Sequence, residues 1–149
     1  MVATRLPEDL KEFLRLLKDN DVDYLLIGGY AVGYYGYPRA TVDMDIWVAT
    51  DQMNASKIVQ VVKEFGFDTP DLSEQLITVQ KKIIRMGMPP IRIEILCNID
   101  GVDFQECYAK KIVDSIDGET VNIIDLESLK KNKQASGRSK DLADLENLP

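Results

Sequence analysis

The stretch LLIGGYAVGYYGYPRATVDMDIWV, residues 25–48, decides the fold of this chain. It begins with an apolar run that ends at Gly28 and Gly29, a pattern typical of a buried strand that leads into a tight turn. A short helix is predicted over residues 30–37, and a second strand over residues 41–49. A strand, a glycine turn and a second strand therefore follow one another within a short segment.

Two aspartates lie on one face of the second predicted strand. Side chains alternate between the two faces of a strand, so Asp43 and Asp45 point the same way, while Met44 and Ile46 point the other way. Two carboxylates this close repel each other unless water or a cation intervenes. From the pair alone, a water-exposed strand edge and a site for Mg²⁺ or Mn²⁺ both remain open.

A further acidic residue follows on a strand predicted over residues 91–97. Its isoleucines form one face, whereas Arg92 and Glu94 share the opposite face. Mg²⁺ binds few protein carboxylates and takes its other ligands from water and from substrate phosphates. The two aspartates at positions i and i+2, together with Glu94 from a neighbouring strand, suit such a site.

The glycine pair is a candidate phosphate site. Glycines let backbone amides approach an anion closely, and the start of a helix favours a negatively charged group. A glycine pair after a strand is also common in ordinary turns. Such a turn, followed at short range by a strand that carries Asp43 and Asp45, is a rarer combination than either feature alone.

The other elements are predicted from apolar periodicity and from helix-breaking residues. They are a helix between Pro7 and Asn20, a helix over 51–65, a hairpin of strands 77–85 and 91–97, strands over 112–115 and 121–124, and two helices after Asp125 that are separated near Ser136 and Gly137. This order of strands and helices predicts an α/β or α+β sheet with helices packed on it, in one domain over residues 1–149.

Composition narrows the classes of chemistry. The chain has no histidine, which excludes serine–histidine and cysteine–histidine catalysis and most zinc enzymes. Its 25 acidic and 18 basic residues give a net charge of −7, which disfavours nonspecific nucleic-acid binding as the main activity. Cys97 and Cys107 are expected to be reduced, and no signal peptide or membrane span is predicted, so a cytoplasmic protein is expected.

Residues 25–48 resemble the core motif of the nucleotidyltransferase superfamily, which has the polymerase-beta-like fold. The tail IIDLESLKKNKQASGRSKDLADLENL, residues 123–148, is similar to the closing helices of a bacterial branch of that superfamily. This branch includes abortive-infection toxin-type enzymes and enzymes that modify aminoglycosides or lincosamides. The resemblance implies a mixed, largely antiparallel central sheet with helices packed on it. It also implies metal-dependent transfer of a nucleoside monophosphate from an NTP to an acceptor hydroxyl or phosphate.

The resemblance also implies roles for the residues that match the motifs. Catalysis and binding of Mg²⁺ or Mn²⁺ are expected of Asp43, Asp45 and Glu94. Contacts with the nucleotide's phosphates are expected of Gly28, Gly29, Arg39, Lys133 and Arg138. For the tail residues a purely structural reading stays open: Lys133 as a solvated helix lysine, and Arg138 and Lys140 as ion-pair partners of Asp141 and Asp144.

Two positions depart from the family pattern. Gly29 stands where many active members have serine, and Glu94 stands where aspartate is commoner. A catalytically degenerate domain that binds a nucleotide or a partner protein, or one half of a toxin–antitoxin pair, is therefore an alternative. The acceptor is left open among a small molecule, tRNA and a protein, and a partner subunit or a homodimer is a further expectation.

Overall fold

The computed structural model describes residues 5–38, 43–88 and 90–149. Its six strands are β1 (Tyr24–Ile27), β2 (Asp43–Val48), β3 (Ile84–Met88), β4 (Ile91–Leu96), β5 (Ile112–Ile116) and β6 (Glu119–Ile123). They form one sheet in the order β3-β4-β2-β1-β6-β5. Three neighbouring pairs are antiparallel, whereas β2–β4 and β1–β6 are parallel. The mixed, largely antiparallel sheet is thus confirmed.

The described residues form seven helices around this sheet. They are α1 (Glu8–Asp19), α2 (Gly28–Tyr34), α3 (Gln52–Glu64), α4 (Gln75–Thr78), α5 (Phe104–Ala109), α6 (Leu126–Ser136) and α7 (Ser139–Asn147). Among the described residues, no helix combines the length and the apolar character that crossing a membrane requires.

Local sequence signals explain where the longer helices begin and end. Asp51 caps α3, because its side chain accepts a hydrogen bond from the backbone amide of Asn54. Asp125 caps α6 in the same way. Gly137 ends α6 in the left-handed conformation, with φ of 64°, so the tail forms two helices as predicted.

The central strand β2 is buried on both faces. Met44 and Ile46 pack into the core on one face. On the face that carries the aspartates, Trp47 is only 2% exposed and packs edge-to-face against Phe104 of α5, with the ring centroids 5.1 Å apart. The alternative of a water-exposed strand edge is therefore wrong, because β2 lies between β4 and β1 in the sheet and its two aspartates are half-buried.

The strand predicted over residues 77–85 is wrong over residues 77–83. Residues Gln75–Thr78 form the short helix α4, and the strand begins only at Ile84. In a strand, Ile77 and Val79 would share one face, but Ile77 is fully buried while Val79 is 73% exposed. The apparent alternation of apolar residues in this segment therefore did not correspond to one buried face.

The other element predictions agree with the structure to within a few residues. The β3–β4 hairpin is present, as are both late strands and the helix predicted over 51–65. The helix predicted over 30–37 begins earlier, at Gly28, and ends at Tyr34. Helix α5 was not predicted from the sequence. Residues 41–42 of the predicted second strand lie outside the described residues.

Candidate functional site

Three carboxylates converge where β2 and β4 run side by side. The parallel register aligns Asp45 with Glu94 and Asp43 with Arg92. Asp43, Asp45 and Glu94 each offer one carboxylate oxygen, and these oxygens all lie within 4.8 Å of one another. The structure therefore brings together the three acidic residues that the sequence singled out, and their oxygens are the ligand type that a hard divalent cation prefers.

Asp45 is the least compensated of the three acidic residues. Its Oδ1 atom is buried and has no hydrogen-bond partner among the residues that the structure describes. Burial, together with the negative charges of Glu94 and Asp43, raises the pKa of Asp45 to about 6. Buried polar atoms in native proteins normally have a partner, so the orphaned oxygen fits a site built for a cation.

Gly28 makes room for the Asp45 carboxylate. Its φ is +68°, a conformation that favours glycine, and a Cβ atom at this position would lie 2.3 Å from Asp45 Oδ2. The sequence suggested that the glycines serve the approach of a phosphate. The structure adds a second reason for Gly28, namely close packing of the backbone against the acidic residue. Gly29 is buried in the first turn of α2.

Two arginines pair with two of the three acidic residues, Asp43 and Glu94. Arg92 donates from Nε to Asp43 Oδ1 and from a terminal nitrogen to Asp43 Oδ2, both at 2.8 Å. This bidentate bond lowers the pKa of Asp43. Arg85, on the adjacent strand β3, donates to Glu94 Oε1 at 3.2 Å. Sequence reasoning assigned neither arginine a role, although the predicted hairpin of these two strands held the signal: it places Arg85 opposite Glu94.

A cavity of about 340 Å³ opens beside Asp45. The glycine turn lines this cavity, and so do basic side chains from the junction of α6 and α7. Its lining includes Gly28, Gly29, Asp45, Lys133, Arg138 and Lys140. Glycines and tail residues that are about a hundred positions apart in the sequence thus meet at one cavity. Arg39, also expected at the phosphates, lies outside the described residues.

Lys133 is the centre of a buried ion cluster. Its Nζ atom lies 3.2 Å from Asp141 Oδ1 and 3.0 Å from Asp144 Oδ2, and its residue is only 4% exposed. The reading of Lys133 as a solvated helix lysine is therefore wrong. The reading of Arg138 as a partner of Asp141 is confirmed, with Nε 2.7 Å from Oδ2, whereas Asp144 pairs with Lys133.

Asp141, one of the two aspartates that bind Lys133, is held in its charged form. Burial alone would raise the pKa of Asp141, but hydrogen bonds from Ser136, Arg138 and Lys133 outweigh it and lower the pKa to about 2. Asp141 therefore remains ionised at neutral pH and ties α6 to α7 at the cavity wall.

Comparison with known proteins agrees with this fold. The model of the family described as "Nucleotidyl transferase of unknown function" (DUF2204) matches residues 7–149. The chain therefore belongs to this family of nucleotidyltransferases. No curated protein matches the sequence at a significant level.

Solved structures share the fold at low sequence identity. A Thermotoga maritima protein provisionally named a nucleotidyltransferase is 19% identical, with a TM-score of 0.62, and the match covers 93% of this chain and 89% of that one. The lincosamide antibiotic adenylyltransferase LnuA, with lincomycin bound, is 17% identical over 95% of both chains, with a TM-score of 0.58. An antigenic nucleotidyltransferase-like protein from Paracoccidioides brasiliensis is 16% identical, with a TM-score of 0.52, over 93% of this chain and 74% of that one.

The raised pKa of Asp45 predicts that this residue destabilises the metal-free protein. Ionisation of Asp45 is disfavoured in the folded state, so wild-type stability should fall as the pH rises from about 4 to about 6. Asp45→Asn removes this cost, and in EDTA at pH 7.5 we expect the variant to be more stable by about 2 kcal/mol. Urea unfolding at pH 7.5 and at pH 4 measures the difference, which should largely vanish at pH 4.

A matched control for this experiment is Asp68→Asn, since Asp68 is exposed and lies outside the helices and strands. Its stability should stay within about 0.5 kcal/mol of wild type at both pH values. An Asp45→Asn variant that is no more stable than wild type at pH 7.5 would contradict the description of Asp45 as a buried and uncompensated acidic group.

Loss of the Lys133 ammonium should destabilise the fold strongly. Lys133→Met leaves Asp141 and Asp144 without their shared cation, and we expect a loss of about 3–5 kcal/mol in the free energy of unfolding. The control is Lys131→Met on the same helix, because the pair that Lys131 makes with Glu127 is exposed and is worth about 0.3–0.5 kcal/mol. Urea denaturation of both variants tests this, and equal small losses would refute the buried cluster.

Proposed function

We propose that this protein is a divalent-metal-dependent nucleotidyltransferase that transfers a nucleoside monophosphate from an NTP to an acceptor hydroxyl or phosphate. The observation that carries the proposal is the convergence of Asp43, Asp45 and Glu94, together with a cavity that Asp45 lines along with the basic side chains of the tail helices. Membership of a nucleotidyltransferase family supports the same class of reaction.

The three acidic residues are proposed as the metal ligands. Their donor atoms are all carboxylate oxygens, which suits Mg²⁺ or Mn²⁺, and the orphaned Asp45 Oδ1 is a ligand in need of a partner. When bound, the ion would neutralise charge on the α-phosphate and the leaving pyrophosphate and lower the pKa of the acceptor oxygen.

The triphosphate is proposed to lie in the cavity beside Asp45. It would meet the backbone of Gly28 and Gly29 and the basic side chains of Arg138 and Lys140, which all line that cavity. Lys133 also lines this cavity, but its ammonium group is already paired with Asp141 and Asp144. We therefore propose that Lys133 contributes positive charge near the phosphates and makes no direct contact with them.

Arg39 is also proposed to contact the phosphates, because the family resemblance implies that role for it.

Glu94 is proposed as the general base. It would accept the proton of the acceptor hydroxyl as the acceptor oxygen bonds to the α-phosphorus and the bond between that phosphorus and the pyrophosphate oxygen breaks. The pyrophosphate leaves with the bonding electron pair. No histidine is needed for this division of labour, and the chain contains none.

A small molecule is the acceptor class that we propose. The net charge of −7 disfavours a large polyanion such as tRNA. One protein of similar fold is an adenylyltransferase that was solved with lincomycin, an antibiotic, bound. A cytoplasmic setting is part of the proposal, because Cys97 and Cys107 are both free and buried.

A second candidate is a domain that binds nucleotide without turnover. The observation in its favour is that both oxygens of Asp43 accept hydrogen bonds from Arg92, which engages a proposed metal ligand with an internal cation. The glycine at position 29, where many active members have serine, favours the same candidate. Tight binding of an NTP with no transfer to any acceptor would select it.

We expect one variant of the site to lose metal-dependent nucleotide binding and another to lose mainly the transfer reaction. Asp43→Ala should abolish Mg²⁺-dependent NTP binding in calorimetry, because it removes a metal ligand. Glu94→Gln should lower transfer by about 100-fold or more, because it removes the base. Transfer is measured with four labelled NTPs against small molecules, tRNA and the protein itself.

The control is Asp68→Ala, which should match wild type in both measurements because Asp68 is exposed and lies away from the acidic residues in the sequence and outside the cavity lining. Unchanged Mg²⁺-dependent NTP affinity in Asp43→Ala would contradict the proposed site.

A further inference from the structure

The bond between Arg92 and Asp43 is the best-formed ion pair at the candidate site. The two residues are direct neighbours in the register of β2 and β4. Nε and a terminal nitrogen of the guanidinium each reach one oxygen of the carboxylate, both at 2.8 Å. This parallel arrangement is the geometry in which arginine binds a carboxylate most strongly.

The three acidic residues of the site differ in whether an arginine binds them. Arg92 is bound to Asp43, and Arg85 is bound to Glu94. Asp45, which shares a strand face with Asp43 and is aligned with Glu94, has an oxygen with no partner among the described residues. Asp43 and Glu94 thus each accept a hydrogen bond from an arginine, whereas no described cation forms a hydrogen bond with the orphaned oxygen of Asp45.

A divalent cation and Arg92 would compete for the same carboxylate. Both oxygens of Asp43 point at the guanidinium, and an ion that joins Asp43 to Asp45 and Glu94 would bring two positive charges together across one carboxylate. The terminal nitrogen of Arg92 also lies 3.6 Å from Glu94 Oε1, so its charge faces two of the three proposed ligands. The Arg92 side chain is 32% exposed and has a path to solvent.

Arg85 differs from Arg92 in a way that makes it a weaker competitor. It makes one hydrogen bond to Glu94, at 3.2 Å, and its side chain is 58% exposed on the edge strand β3. Exposed single pairs of this kind contribute little. Replacing each arginine with glutamine therefore compares a bidentate partner of Asp43 with a weakly bound partner of Glu94.

We propose that Arg92 is the internal counter-ion of the metal-free site, and that a divalent cation binds only when the Arg92–Asp43 pair opens. This inference rests on the proposed function, in which the three carboxylates hold the cation. In the metal-free protein Arg92 stabilises the acidic cluster, and at the same time it weakens the affinity of that cluster for metal. Arg92 is a positioning residue in this account.

The test is Mn²⁺ binding without nucleotide, measured by titration calorimetry on wild type, Arg92→Gln and Arg85→Gln. Arg92→Gln should bind Mn²⁺ at least about tenfold more tightly than wild type, since the competing pair is worth about one charge-assisted hydrogen bond or more. Arg85→Gln should change the affinity by less than about threefold. Arg92→Lys, which keeps the charge without the fork, should be intermediate.

Stability provides a second readout that covers the case of a poorly folded variant. Metal-free Arg92→Gln should melt at a lower temperature than wild type, because the acidic cluster loses a cation. Saturating Mn²⁺ should raise its melting temperature by more than it raises that of wild type.

Two outcomes separate the inference from the proposed function. If wild type binds Mn²⁺ as tightly as folded Arg92→Gln does, or more tightly, the counter-ion role of Arg92 is wrong, while the proposed metal site is supported. No Mn²⁺ binding by wild type or any of the three variants overturns both.

Discussion

The constraint on which the site depends is the mutual repulsion of three carboxylates held on two adjacent, largely buried strands. Because β2 and β4 run parallel and in register, Asp45 and Glu94 are neighbours, and Asp43 follows two residues away on the same face. Neighbouring residues reduce this repulsion or make room for it. Arg92 binds Asp43, Arg85 binds Glu94, and Gly28 leaves space for the carboxylate of Asp45. One oxygen of Asp45 remains unsatisfied within the described part of the chain.

The tail helices complete the site by a different device. Lys133, Asp141 and Asp144 form a buried cluster of charges that joins α6 to α7. This cluster orients the α6–α7 junction, so that Arg138 and Lys140 line the cavity beside Asp45. Removing one member of a buried ion pair is much more costly than breaking an exposed pair, so the cavity wall depends on all three residues.

The period-two pattern of strands and the family resemblance together predicted the acidic cluster from the sequence. The pattern placed Asp43 with Asp45 on one face of β2 and Glu94 on one face of β4, and the resemblance implied that Glu94 joins the two aspartates in one site. Other features depend on tertiary contacts that no local pattern encodes. The burial of Lys133 arises from two aspartates one helix away, and the pairing of Arg92 with Asp43 requires the register of strands some fifty residues apart. The strand predicted from residue 77 failed because its alternating residues do not share one buried face.

The proposed metal site is tested most directly by the position of a divalent ion in a crystal grown or soaked with Mn²⁺ and a nonhydrolysable NTP. We expect an anomalous peak about 2.1 Å from carboxylate oxygens of Asp43, Asp45 and Glu94, with the Arg92–Asp43 pair opened. The nucleotide's phosphates should lie in the cavity between the glycine turn and Arg138. Ordered nucleotide with no manganese at the three carboxylates would contradict the central claim.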